Sequence, residues 1–182
     1  MNDSITSWDK AAKSGLILGL ATIAFMLVST LCNSAFGGAG NFGKNFLGAS
    51  LGFLLWAGKI AVCILLMRHF LKRLVADNPA ADNSDTLKHG IKIALFSSLI
   101  VVAYNIADVR FLHPDAYTEA IRQMVDQFAP MMDSNTRAVM EKMTGKMPVS
   151  VFLFLFLYDF VWGWVLSSLL SRNIPIRDPF AK

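Results

Sequence analysis

Four long apolar blocks constrain this sequence more than any other feature. They run from Gly15 to about Cys32, from Phe46 to Met67, from about Gly90 to Ala107, and from Val149 to Leu170. As a helix, each block is long enough to cross a hydrocarbon core of roughly 30 Å. The blocks therefore predict an all-α fold, a bundle of four transmembrane helices, with residues 1–182 forming a single integral membrane domain.

The composition points the same way. Hydrophobic residues make up 54% of the chain and charged residues only 16%. An ordinary soluble domain is about a quarter charged, so this chain lacks the polar residues to coat a globule of its size. This excludes a soluble enzyme, a disordered tail and a secreted disulfide scaffold. The net charge of +4 comes from basic residues beside the apolar blocks, so the expected partner is the lipid bilayer and not nucleic acid.

The distribution of Lys and Arg predicts the orientation. Leaving aside Lys59 and Lys92, which lie inside spans, nine basic residues belong to the N-terminus, the loop between the second and third spans, and the C-terminal tail: Lys10, Lys13, Arg68, Lys72, Arg73, Lys88, Arg172, Arg177 and Lys182. Six are spread over the other side: Lys44, Arg110, Arg122, Arg137, Lys142 and Lys146. Because cytoplasmic ends carry the excess of basic residues, we expect a multi-pass protein of the bacterial inner membrane with both termini cytoplasmic.

Two charged residues lie deep inside the spans. Counted from the outer ends, Lys59 lies roughly 20 Å deep in the second span and Asp159 roughly 15 Å deep in the fourth. An unpaired charge at such depth costs on the order of 3 kcal/mol or more, which favours a Lys59–Asp159 pair inside the bundle. Three interpretations stay open: a structural pair that sets helix register, a proton or ion relay, and snorkelling without pairing.

Small and polar residues suggest how the helices pack. Glycines on one face of a membrane helix let two backbones approach closely. The candidates for such packing are Gly15, Gly19, Gly48, Gly52 and Gly163. In the third span, Ser97, Tyr104 and Asn105 lie along one side, where they would hydrogen-bond across helices in the bundle interior or line a polar cavity.

The outer loop, residues 108–147, is the one sizeable extramembrane segment. After Pro114 it carries an apolar stripe that is typical of an amphipathic helix: Tyr117, Ala120, Ile121, Met124, Val125 and Phe128. A second short helix is expected near Ser134. Such helices lie on the membrane surface or cap a bundle.

No pattern in the chain indicates catalysis, a cofactor or a metal. Six methionines in and beside the outer loop could bind Cu(I), but no His or Cys joins them, and Met is also an ordinary flexible filler. The glycines at 38, 40 and 43 match a dinucleotide-binding spacing, yet no strand precedes them. A membrane enzyme would have to draw its catalytic groups from Asp108, Arg110, His113 or Asp115.

The first and third spans begin alike. Residues 13–20 and 88–95 both read Lys-x-Gly-aliphatic-x-aliphatic-small-Leu. Either two hairpins of equal orientation repeat along the chain, or two spans have converged on a similar beginning.

The same segments carry a family resemblance. The residues concerned are Ser14–Leu20, His89–Leu99 with Tyr104, His113-Pro-Asp115 and Met140-Glu-Lys-Met143. With them, nearly the whole chain resembles the uncharacterised bacterial inner-membrane proteins grouped as domain of unknown function 4199. This resemblance implies a four-helix membrane protein with an outer helical loop. It implies no activity, substrate or catalytic residue.

Two function classes follow. The first is a non-enzymatic accessory or scaffold protein that acts through helix–helix contacts with a membrane-protein partner or as a homo-oligomer. The second is a small oligomeric transporter or channel that uses Lys59 and Asp159. A water-filled path to these two residues would favour the second class, and a dry, sealed bundle the first.

Overall fold

The structure, a computed structural model, describes residues 8–36, 42–112, 119, 122–123, 126–128, 133, 135–136 and 147–174. Four long helices account for most of these residues: α1 Trp8–Phe36, α2 Phe42–Asp77, α3 Asn83–Ala107 and α4 Met147–Asn173. A π-helical segment, Asp108–Leu112, follows α3, and no strand occurs among the described residues. All four helices are long and apolar enough to cross a membrane, which confirms the all-α fold and the four predicted spans.

Each helix extends beyond its predicted span because the apolar block marks only the part suited to hydrocarbon.

Polar capping sets the end of α2 and the beginning of α3. The Asn78 N–H donates to the Leu74 carbonyl at 2.9 Å, and Pro79 begins the turn that follows. At the start of α3, the Asp85 N–H donates to Asp82 Oδ1 at 2.7 Å while the Asp82 N–H donates to the Asp85 carboxylate at 3.4 Å. This reciprocal capping box fixes the first turn of α3 close behind the end of α2.

The chain divides into two compact units, residues 1–101 with 159–182 and residues 102–158. The expectation of a single membrane domain over residues 1–182 therefore stays a prediction. In the first unit, parts of all four helices contribute to one apolar core. Its members come from the start of α1, the end of α2, the start of α3 and the residue after α4: Ala11, Leu18, Met67, Leu71, Val75, Ile93, Ala94 and Ile174.

The helices of the first unit differ in the fraction of their residues that is buried. In the most apolar stretch of α3, 33% of the residues are buried, against 6% in α2. Large apolar side chains of α2 are instead exposed, among them Phe53, Leu54, Trp56 and Leu65. In a bilayer such side chains face lipid tails without penalty, because the tails are as apolar as they are.

The second unit contains the end of α3, the π-helical segment, parts of the outer loop and the start of α4. Asn135 and Thr136 are helical, where the second outer helix was expected, and the Thr136 N–H donates to Asp133 Oδ1 at 2.8 Å. Hydrogen bonds from the Thr136 side chain and backbone hold the pKa of Asp133 below its usual value. His113, Asp115, most of the predicted apolar stripe and most of the outer methionines lie outside the described residues.

Candidate functional site

The intramembrane charges Lys59 and Asp159 lie on α2 and α4, and both are half-buried. Their charges interact with each other and with the thiol of Cys63, one turn along α2 from Lys59. Cys63 Sγ lies 3.8 Å from Thr22 Oγ1, whose hydroxyl donates to the Leu18 carbonyl at 3.0 Å. Side chains from α1, α2 and α4 thus bring two charges, a thiol and a hydroxyl into one region of the first unit.

Lys59 and Asp159 are not joined by a contact ion pair. Among the described side chains, ion pairs within 4 Å link Lys10 to Asp77 at 3.4 Å and Lys13 to Asp9 at 2.9 Å. Neither the Lys59 ammonium nor the Asp159 carboxylate forms a hydrogen bond with any described residue. The Lys59–Asp159 pair therefore stays a prediction.

A cavity of about 300 Å³ lies between α1 and α2, and Lys59 lines it. Ser29 and Thr30 of α1 add polar groups to its wall, and Trp56 adds an aromatic ring. Gly52 also lines the cavity, and a Cβ added there would meet no atom within 4 Å. Gly52 therefore leaves space next to Lys59, and no atom of another described helix lies within 4 Å of its added Cβ.

Gly15 and Gly19 lie where α1 meets α3. A Cβ on Gly15 would come within 2.5 Å of Phe96 Cβ and 2.9 Å of the Ile93 carbonyl oxygen. A Cβ on Gly19 would lie 3.0 Å from the side chain of Ile100. Gly15 therefore permits a backbone approach that no larger residue would allow, and a larger residue at Gly19 would require Ile100 to shift by a few tenths of an ångström.

The contact between α3 and α4 uses glycines from both helices. A Cβ on Gly163 would lie 2.6 Å from Ala94 Cβ, and one on Gly90 would lie 2.7 Å from Ser167 Cβ. The Ser167 hydroxyl donates across the contact to the Leu87 carbonyl at 3.3 Å. The surroundings of Gly48 lie outside the described residues.

The three polar residues of α3 fall in different places. Ser97 is buried in the first unit, and its backbone forms part of the surface that Gly15 and Gly19 approach. Tyr104 and Asn105 belong to the second unit, where both are half-buried. Their predicted role in the bundle interior stays a prediction.

Several residues of the first unit were not identified from the sequence. Gly90 lies in the α3–α4 contact, and Trp8 lies under the Lys92 ammonium, 4.6 Å from the ring centroid. His89 is buried and its Nδ1 has no hydrogen-bond partner among the described residues. The repeated Lys-x-Gly beginning was the available signal for Gly90, because it aligns Gly90 with Gly15.

Comparison with known proteins gives one match. No curated protein and no solved structure shows significant similarity to the chain. The family described as "Protein of unknown function (DUF4199)" matches residues 13–171, which include all four long apolar helices except their outermost residues. The match confirms the predicted resemblance, and the chain belongs to the DUF4199 family.

Proposed function

We propose that this membrane protein is a non-enzymatic accessory or scaffold protein, which binds another membrane protein or a second copy of itself through α2. The observation that carries the proposal is Lys59, an ammonium at membrane depth without a contact partner among the described residues. It lies on a helix whose large apolar side chains, Phe53 and Trp56 among them, are exposed. A carboxylate or carbonyl from a neighbouring helix would satisfy the charge, because isolated charges are costly in a bilayer.

The proposal predicts a partner whose binding depends on Lys59. The tagged protein is purified from native membranes in mild detergent, and co-purifying chains are quantified by mass spectrometry. We expect a stoichiometric partner with the wild type and the same amount of it with Lys72→Met. With Lys59→Met we expect at least about tenfold less of the partner, because loss of an interaction with a charged group costs more than 1.4 kcal/mol. Lys72 is the matched control because it is an exposed lysine of the same helix.

A different result would favour the second candidate, an oligomeric transporter or channel. The cavity of about 300 Å³ beside Lys59 supports that candidate, because it brings space and polar side chains to an intramembrane charge. A homogeneous oligomer without another protein, unchanged by Lys59→Met, would contradict the accessory role.

We further infer that both termini face the cytoplasm and that the membrane is the bacterial inner membrane. Core residues from the starts of α1 and α3 and the end of α2 pack together in the first unit. The same helix ends carry Lys10, Lys13, Arg73 and Lys88. The positive-inside rule assigns such an end to the cytoplasm.

Cysteine labelling tests this orientation. In a background with Cys32→Ala and Cys63→Ala, Gln127→Cys should react with an impermeant maleimide in intact cells. Lys72→Cys should react only after permeabilisation. Both residues are exposed, so access to the reagent and not burial decides the outcome. Labelling of Lys72→Cys but not Gln127→Cys in intact cells would reverse the topology.

A further inference from the structure

A basic groove lies where α1 and α3 begin and α2 ends. Its volume is about 330 Å³, within the range of small-molecule sites of roughly 300–1,000 Å³. Three helices contribute polar side chains to its wall: Lys10 and Lys13 from α1, Arg73 from α2 and His89 from α3. The groove is separate from the cavity at Lys59, since the two share no residue of their walls.

The charge of the groove favours an anion. Three cations and one carboxylate line the groove, and Lys13 also pairs with Asp9, outside its wall, at 2.9 Å. The carboxylate is that of Asp77, which lies 3.4 Å from the Lys10 ammonium. Both members of this ion pair are about half exposed, so the pair is weak and Lys10 can turn to another anion. Within the described part of the chain, the Arg73 guanidinium forms no hydrogen bond or ion pair. Its guanidinium is suited to the two oxygens of a phosphate or carboxylate.

The buried imidazole of His89 indicates that the groove is more than a patch of surface lysines. His89 is 3% exposed, it contributes to the wall of the groove, and its buried Nδ1 has no partner in the described chain. A buried polar nitrogen without a hydrogen bond is costly, and most such groups in proteins are paired. An occupant with acceptor oxygens would supply what the imidazole lacks.

The rest of the wall is apolar. Ile17 and Phe70 line the groove beside the cations, on helices that continue into the predicted spans. A ligand with both an anionic head and an apolar body fits such a lining. Basic pockets between helices at the cytoplasmic side of a membrane characteristically bind phosphorylated lipid headgroups.

We propose that this groove binds a phosphate group, held by Arg73, Lys10 and Lys13 and by the imidazole of His89. Two sources carry this chemistry, the headgroup of an anionic phospholipid and a soluble phosphate compound. The apolar side chains of Ile17 and Phe70 favour the lipid.

The test uses the full chain purified in mild detergent, with bound lipid counted by native mass spectrometry. The probes are phosphatidylglycerol, zwitterionic phosphatidylcholine and inorganic phosphate. We expect phosphatidylglycerol to bind about tenfold more tightly than phosphatidylcholine, and Arg73→Gln to remove about tenfold in affinity, as expected for loss of a hydrogen bond to a charged group. Arg68→Gln is the matched control, an exposed arginine of α2 outside the groove, and should leave affinity unchanged.

Substitutions at His89 separate a binding role from a general effect of surface charge. His89→Asn keeps an N–H donor near the position of Nδ1 and should retain most of the affinity, whereas His89→Leu should lose it. If His89→Leu fails to fold, Arg73→Gln still decides, because Arg73 is exposed. Displacement of the lipid by millimolar inorganic phosphate would support the phosphate site and assign it to a soluble compound. Equal binding of both lipids with no effect of phosphate, or equal losses with Arg73→Gln and Arg68→Gln, would overturn the proposal.

Discussion

Replacing Gly15 with leucine should lower the free energy of unfolding by about 3 kcal/mol, at the upper end of the cost of overpacking a core. Even the first carbon of the new side chain would lie 2.9 Å from the Ile93 carbonyl oxygen and 3.2 Å from the Ser97 nitrogen. These are backbone atoms of α3, which cannot rotate away as a flexible side chain can. The helices α1 and α3 would have to separate, and the measurement is the unfolding free energy from SDS titration of the protein in mild-detergent micelles.

Gly52 provides the matched control. Its added Cβ meets nothing within 4 Å, so Gly52→Ala should raise the unfolding free energy by about 0.5–1 kcal/mol, the helix preference of alanine over glycine. Gly15→Ala should change it in the opposite direction. A stabilising Gly15→Ala would contradict the close approach of α1 to α3.

The two glycines also show how far the sequence could predict the packing. Gly15, Gly19 and Gly163 were predicted from their spacing in apolar helices, and the structure places all three against a neighbouring helix. Gly48 and Gly52 have the same spacing, yet Gly52 faces a cavity. The spacing of glycines identifies a helix face that consists of small residues. Whether this face contacts another helix depends on the rotation of that helix, which residues distant in the chain determine.

The candidate site was predictable in the same partial way. Lys59 and Asp159 were found because charges are rare in apolar blocks, and both are half-buried in the first unit of the structure. Whether they touch depends on the separation of α2 from α4, which no local pattern encodes. His89 and Arg73 gave no signal of a binding site, because each lies beside other basic residues at a helix end, as expected for a cytoplasmic membrane boundary. Only the packing of three helix ends places them in one groove.

The part of the first unit that holds this groove should also contribute most to the free energy of unfolding. Leu71 is fully buried in the core, with Cδ2 3.5 Å from the position of a Cβ on Gly90, so it fills space at the tight contact of α3. Leu71→Ala should lower the unfolding free energy by about 2–5 kcal/mol, the usual cost of a core cavity. SDS titration of purified protein measures the loss.

Leu65 lies on the same helix but is 62% exposed, so Leu65→Ala should cost less than about 0.5 kcal/mol, as surface substitutions do. The comparison also bears on the accessory role, because it can be repeated before and after the partner is stripped away. Detergent covers an exposed leucine as lipid does, whereas a protein partner packs against it. If Leu65→Ala leaves the unfolding free energy of the isolated chain unchanged but lowers that of the complex, the exposed face of α2 is the binding surface. If it is equally costly in the isolated chain, Leu65 is covered by another part of the same protein, and the binding surface must be sought on another helix.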